Sequence, residues 1–127
     1  MGTRSLTFVY DGDQPVLNLY RQFDGYPSGH GLELSNFLSG FEVVNGYGEV
    51  KPKLANGMGC LAAQLVAHFK QSVGGFYIHP VTSTDCWQEY EYHVYEDKVV
   101  VKNPNNVIFE GTWEDLNQFC IKRLAKD

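Results

Sequence analysis

The chain has 127 residues, near the usual size of one domain, and can bury roughly two-thirds of its unfolded surface without disulfide or metal staples. Hydrophobic residues at 43% and charged residues at 20% exclude a disordered chain, and no run of about 18 apolar residues exists to span a membrane. The formal net charge of −5 excludes polymeric nucleic acid as a partner, because such binders need a basic face to displace counterions.

Leu6, Phe8 and Tyr10 alternate with Thr7 and Val9, the pattern of a half-buried strand. Asp11 to Pro15 is turn chemistry, and Val16 to Arg21 alternates again, so a β-hairpin is expected. The stretch Asp24-Gly25-Tyr26-Pro27-Ser28-Gly29-His30-Gly31 is loop, rich in glycine and proline. Leu34, Phe37, Leu38 and Phe41 then recur at i, i+3, i+4 and i+7, which predicts a short amphipathic helix. Asn45 to Gly59 has little periodicity and reads as an extended connection. A second helix is expected from about Met58 to Ser72, with Leu61, Leu65 and Phe69 on its buried face and Gly74-Gly75 as its stop.

Phe76 to His79 reads as a short strand. Residues 87–95 alternate, with Tyr90, Tyr92 and Val94 on one side and Glu89, Glu91 and His93 on a solvated side. Two further strands lie around Val99–Val101 and Val107–Phe109. Thr112 and Asp115 form an approximate capping box for a last helix, with Trp113, Leu116, Cys120 and Leu124 inward. The fold class expected is α+β: an antiparallel sheet of five or six strands with two or three helices packed mainly on one face, in a single domain over residues 1–127.

Three cysteines, Cys60, Cys86 and Cys120, form no close pair, so all three thiols should be free, Cys60 buried, and the compartment reducing. The N-terminus lacks a secretory pattern, and Leu6 stands where a myristoylation signal needs Ser or Thr, which leaves the cytoplasm as the expected location. The ten Lys and Arg are scattered, and their one cluster, Lys122, Arg123 and Lys126, suits the negative end of a helix dipole.

The segment Arg21 to Gly31 is the first candidate site. Glycines let a ligand approach the backbone, and free N–H groups ahead of a helix favour an anion. Symmetric pairing about Gly12-Asp13 would set Arg4 opposite Arg21, an unfavourable pair that an anion between them would relieve. Arg4, Arg21, Asp24, Gly25, Tyr26, Ser28, Gly29, His30 and Gly31 would then surround a small anionic ligand such as a nucleotide, with Tyr26 stacking on the base and His30 donating to phosphate. The alternative is a tight turn that caps the helix, with each Arg paired to its own carboxylate, Asp24 or Glu33. The second candidate is Asn56-Gly57-Met58-Gly59-Cys60, where a thiol at a helix start could act as a nucleophile with His79, or pack as a small hydrophobe. His79, Asp85, Cys86 and His93 match no zinc spacing, so neither metal nor cofactor is expected.

Met1-Gly2-Thr3-Arg4, the Arg21–Gly31 loop and Asn56-Gly57-Met58-Gly59-Cys60-Leu61-Ala62-Ala63-Gln64 together resemble a family of small uncharacterised proteins of tailed phages and bacteria. The resemblance implies a viral origin, the cytoplasm of a bacterial host cell, and by analogy an anti-defence protein that sequesters a cyclic nucleotide immune signal. A hydrolase or phosphodiesterase acting through His30 or a Cys60/His79 pair is the alternative. A protein–protein inhibitor using its Tyr-rich strand is the second alternative, and a homo-oligomer stays open.

Overall fold

The computed structural model describes residues 2–127, so Met1 of the terminal motif lies outside them. The fold is α+β, as expected. Strands β1 (Ser5–Asp11), β2 (Gln14–Arg21), β5 (Phe76–Ile78), β6 (Tyr90–Val94), β7 (Val99–Asn103) and β8 (Asn106–Gly111) form one sheet in the order β5-β2-β1-β6-β7-β8. Helices α1 (Leu32–Leu38), α2 (Gly57–Phe69) and α3 (Trp113–Lys122) complete it, with a two-stranded ribbon of β3 (Glu42–Val44) and β4 (Leu54–Asn56) between α1 and α2. Among the described residues no helix is long and apolar enough to cross a membrane.

The sheet departs from the expectation at its centre, where β1 and β6 run parallel and every other neighbouring pair is antiparallel. The connection from β5 to β6 is the cause. It leaves one edge, crosses β2 and β1, and re-enters beside β1 in the same direction, as a parallel crossover must. Short turns join the antiparallel pairs β1–β2, β6–β7 and β7–β8, whereas β5 and β6 are separated by the long connection. The ribbon β3–β4 is parallel too, and its three-residue strands are too short to carry a readable period.

Both faces of the sheet are covered. On one face Val9, Leu17, Leu19, Tyr92, Val94, Val99 and Val101 pack against Leu34, Leu38, Met58, Leu61, Leu65, Phe69, Trp113, Leu116 and Cys120. Each such aliphatic side chain contributes about 1.5–3 kcal/mol by leaving water. The predicted inward stripe of α3 fails only at Leu124, which is exposed. The α-helix ends at Lys122, and the tighter 3₁₀ turn Arg123–Ala125 rotates that side chain outward. Thr112 caps α3 as read, its Oγ1 accepting from the Asp115 N–H at 3.1 Å.

The opposite face carries Leu6, Phe8 and Asn18, all buried, beneath the crossover. Asn18 Nδ2 pins it by donating to the carbonyls of Pro80 (3.0 Å) and Ser83 (2.8 Å). The expectation that His93 is solvated is therefore corrected. It is only 8% exposed, stacked on Phe8 at 5.1 Å, because the face that alternation assigned to solvent is itself covered.

Candidate functional site

The glycine loop turns inward. After Asp24, whose φ is +61°, Pro27–Gly31 forms one π-helical turn that runs directly into α1. Its N–H groups are spent inside the protein: Gly25 donates to Thr3 O at 2.9 Å, Gly29 to Tyr26 O at 2.9 Å, His30 to Asp24 O at 2.8 Å, and Ser28 to Asp127 Oδ2 at 2.8 Å. Tyr26 gives its hydroxyl to Asp24 Oδ1 at 3.3 Å. The glycines answer to packing. A Cβ on Gly25 would stand 2.8 Å from Thr3 O and Ser5 Cβ, one on Gly29 2.6 Å from Asp24 O, and one on Gly31 2.8 Å from Cys120 Sγ. Gly25→Ala is expected to cost about 2–3 kcal/mol, since the backbone of Thr3 and Arg4 cannot yield as a flexible side chain would. A denaturation midpoint equal to the parent's would refute that.

His30 is fully buried, so the expected donation to a ligand phosphate is corrected. An Arg21 Nη1–H points at its Nδ1 (3.1 Å), which makes Nδ1 the lone-pair nitrogen, and Nε2–H therefore donates to Thr7 Oγ1 at 2.7 Å. Burial, and then the Arg21 charge, pull the His30 pKa down to about 3. The ring is a neutral strut between sheet and loop.

Arg4 and Arg21 do not share a site. Near the turn the pairing is as expected, with Asp11 opposite Gln14 and Tyr10 opposite Pro15. A bulge between Val9 and Tyr10 then shifts the register by one, so that Arg21 faces Ser5 and Tyr20 faces Leu6. A one-residue slip moves a side chain to the other face. Arg21 is consumed on the helix side by Phe23 O (2.6 Å), Glu33 Oε2 (2.6 Å) and His30. Arg4 lies on the opposite face, its Nε donating to the Tyr20 hydroxyl at 2.9 Å.

Concavity is found instead along α2. Cys60, Gln64 and His68 lie at i, i+4 and i+8, hence on one side of the helix. They border three adjoining cavities: one of about 510 Å³ at the start of α2, one of about 170 Å³ beside Tyr47 and Lys51, and one of about 550 Å³ flanked by Phe37, Phe41 and Lys53. Asn56 leaves the α2 N-terminus without a side-chain cap, because its Oδ1 accepts from the Gly46 N–H at 2.7 Å. The first-turn amides of α2 thus face the polar cavity, whose other rim holds Asp11 and Glu96.

Gly57 has φ +81°, which explains it. Gly59 is different: its backbone is helical, and a Cβ there would meet nothing within 4 Å. Cys60 is half-buried rather than buried, and its thiol donates to Gln64 Oε1 at 3.3 Å, so the expected pairing with His79 is corrected. All three thiols are free. The sequence contained a signal for this cleft in the small residues of the second motif, but spacing alone could not say whether neighbours would fill the space they leave.

The opposite face gathers further chemistry. His79 Nδ1 stands 3.2 Å from Cys86 Sγ, and its ring stacks on Tyr20 at 4.9 Å. Nearby, the Tyr10 hydroxyl donates to His93 Nδ1 at 2.7 Å and His93 Nε2–H to Glu91 Oε1 at 2.9 Å. Burial raises the Glu91 pKa, but hydrogen bonds from His93 and Gln88 outweigh it and hold that carboxyl below its ordinary range. Tyr10 is held above its ordinary value, first by burial and then by Tyr95, so its hydroxyl stays protonated. Among the described residues no group of three or more His, Cys, Asp or Glu side chains is placed to hold a metal ion.

No family model, no curated protein and no solved structure matches the chain.

Proposed function

We propose that the protein binds a small nucleotide in the cleft along α2, with the phosphate on the open amides of the first turn. The observation that carries this reading is Gly59. Glycine in a helix costs up to about 1 kcal/mol relative to alanine, and neither backbone strain nor packing requires it here. Clearance for a ligand against the backbone does. Its neighbour Gly57 and the uncapped helix start supply the N–H groups, and the helix dipole favours an anion beside them.

Charge narrows the ligand class. Asp11 and Glu96 on the facing rim repel a bare anion but accept N–H donors. A nucleotide carries both a phosphate and a base with such donors, and Phe37, Phe41 and His68 offer an aromatic wall farther along the helix. The resemblance to small proteins of tailed phages supports the finer step, that the ligand is a cyclic nucleotide immune signal sequestered intact. Arg4, Arg21, Tyr26 and His30 are not part of this site.

Gly59→Leu places a side chain at the polar cavity, starting from a position where a Cβ meets nothing within 4 Å. The expected result is a melting temperature equal to or above the parent's, with affinity for the bound nucleotide lowered at least tenfold, the equivalent of about 1.4 kcal/mol. Calorimetric titration with cyclic and linear nucleotides checks it, with ribose 5-phosphate and inorganic phosphate as controls. Chromatography of the ligand after heat release separates sequestration from cleavage. Parent protein that binds none of the panel, or a Gly59→Leu protein that binds as well as the parent, would overturn the reading.

A further inference from the structure

We propose that Cys86 and His79 form a reactive thiol–imidazole pair, which exchanges with small anionic disulfides steered by Arg4. The geometry is independent of the α2 cleft, because the pair lies on the sheet's other face, in and beside the crossover between β5 and β6. Three observations converge there. The Nδ1–Sγ separation of 3.2 Å is within reach of proton transfer. The His79 ring is held flat against Tyr20, 12° from parallel. The same Tyr20 hydroxyl accepts from Arg4 Nε, and among the described residues no carboxylate lies within salt-bridge distance of the Arg4 guanidinium. A cation therefore stands one tyrosine ring away from the His79 imidazole that contacts the thiol, with its Nη groups available to an anion.

The backbone beside the thiol supports a special role. Trp87 has φ +62°, a left-handed conformation that L residues rarely adopt, and it is 84% exposed. That strain projects an indole into solvent next to Cys86, a surface for the organic part of a disulfide. Asn18 holds the same loop through the Ser83 carbonyl, whose oxygen lies 3.9 Å from Cys86 Sγ, farther than His79 Nδ1.

Burial, and then Asp85, raise the Cys86 pKa, so the resting group is a thiol and its proton must leave during attack. As Sγ bonds to one sulfur of the incoming disulfide, the S–H proton passes to His79 Nδ1. The disulfide's S–S bond breaks, and its second sulfur leaves with the bonding electron pair and recovers the proton from His79. Cys86 ends as a mixed disulfide, oxidised, and one small thiol is released, reduced. The other two thiols are poorer candidates. Cys120 is fully buried with its pKa pushed up to about 12, mainly by burial, and Cys60 is committed to Gln64.

The test uses two aromatic disulfides on the native protein: dianionic dithiobis(nitrobenzoate) and neutral dithiodipyridine, with release of the chromophoric thiol as the readout. Peptide mapping of the parent after one equivalent should find the label on Cys86, and Cys86→Ser should lose the fast phase. Arg4→Ala should slow the dianionic reagent roughly tenfold while leaving the neutral one unchanged, as expected for one charge-assisted contact. His79→Asn should slow both reagents at least tenfold, the lower end of general-base effects. A first label on Cys60 or Cys120 would overturn the proposal. So would equal slowing of both reagents by Arg4→Ala, or a His79→Asn protein that reacts at the parent's rate.

Discussion

His30→Ala is expected to lower the stability of the protein by about 3–5 kcal/mol, the range for removing a large buried side chain. The ring is fully buried between Phe69 and Tyr92, each 5.0 Å away, so its loss leaves a void that rigid aromatic walls do not close. It also strips a partner from Thr7 Oγ1 and another from Arg21, and a buried polar group without a partner costs a further desolvation penalty. For a chain of this size the melting temperature should fall by roughly 10–20 °C. Thermal and urea denaturation check the result. A variant as stable as the parent would show that His30 is not the strut between sheet and loop.

Acid should act on the same ring. In the folded protein its pKa is about 3, against an ordinary value of about 6.5 in the unfolded chain. Above pH 6.5 the ring is neutral in both states and adds no pH dependence. Below that, the unfolded chain takes up a proton that the native state refuses, and stability falls as the pH drops toward 3. The slope approaches about 1.4 kcal/mol per pH unit, on the order of 4 kcal/mol over the window. Carboxylates such as Glu91, also depressed, add their own losses at low pH, so the measurement is a difference. Urea unfolding of the parent and of His30→Gln, from pH 7 to pH 4, should give curves that converge as the pH falls. Curves that stay parallel would rule out the buried neutral imidazole.

Much of the architecture was legible in the chain because its signals are local. Period-2 alternation marked β1, β2 and β6, the i, i+3, i+4 spacing marked α1, the i, i+4, i+8 recurrence of Leu61, Leu65 and Phe69 marked α2, and Thr112 marked the start of α3. The β1–β6 pairing was not legible, since it joins strands far apart in sequence through a crossover whose length alone does not choose a neighbour. His93 was misplaced for a related reason. Alternation says that two faces differ, but not that a distant loop will bury the polar one.

The candidate site was less legible still. The Arg21–Gly31 loop has a composition that suits a ligand cradle and equally a tight turn ahead of a helix. In the fold that composition serves close packing: Gly25, Gly29 and Gly31 sit where no Cβ fits, and His30 is enclosed. Gly59, an ordinary helical glycine in the sequence, proves to have open space above it although neither packing nor a positive φ requires a glycine there.

By itself, then, the sequence determined which residues form the longer strands and the helices, because these depend on neighbours within a few positions. The tertiary structure decided the rest. A single bulge between Val9 and Tyr10 sent Arg4 and Arg21 to opposite faces, and the crossover brought His79 to Cys86 rather than to Cys60. The physical reason is that side-chain direction in a strand reverses with every residue, so one inserted position rewrites every contact beyond it.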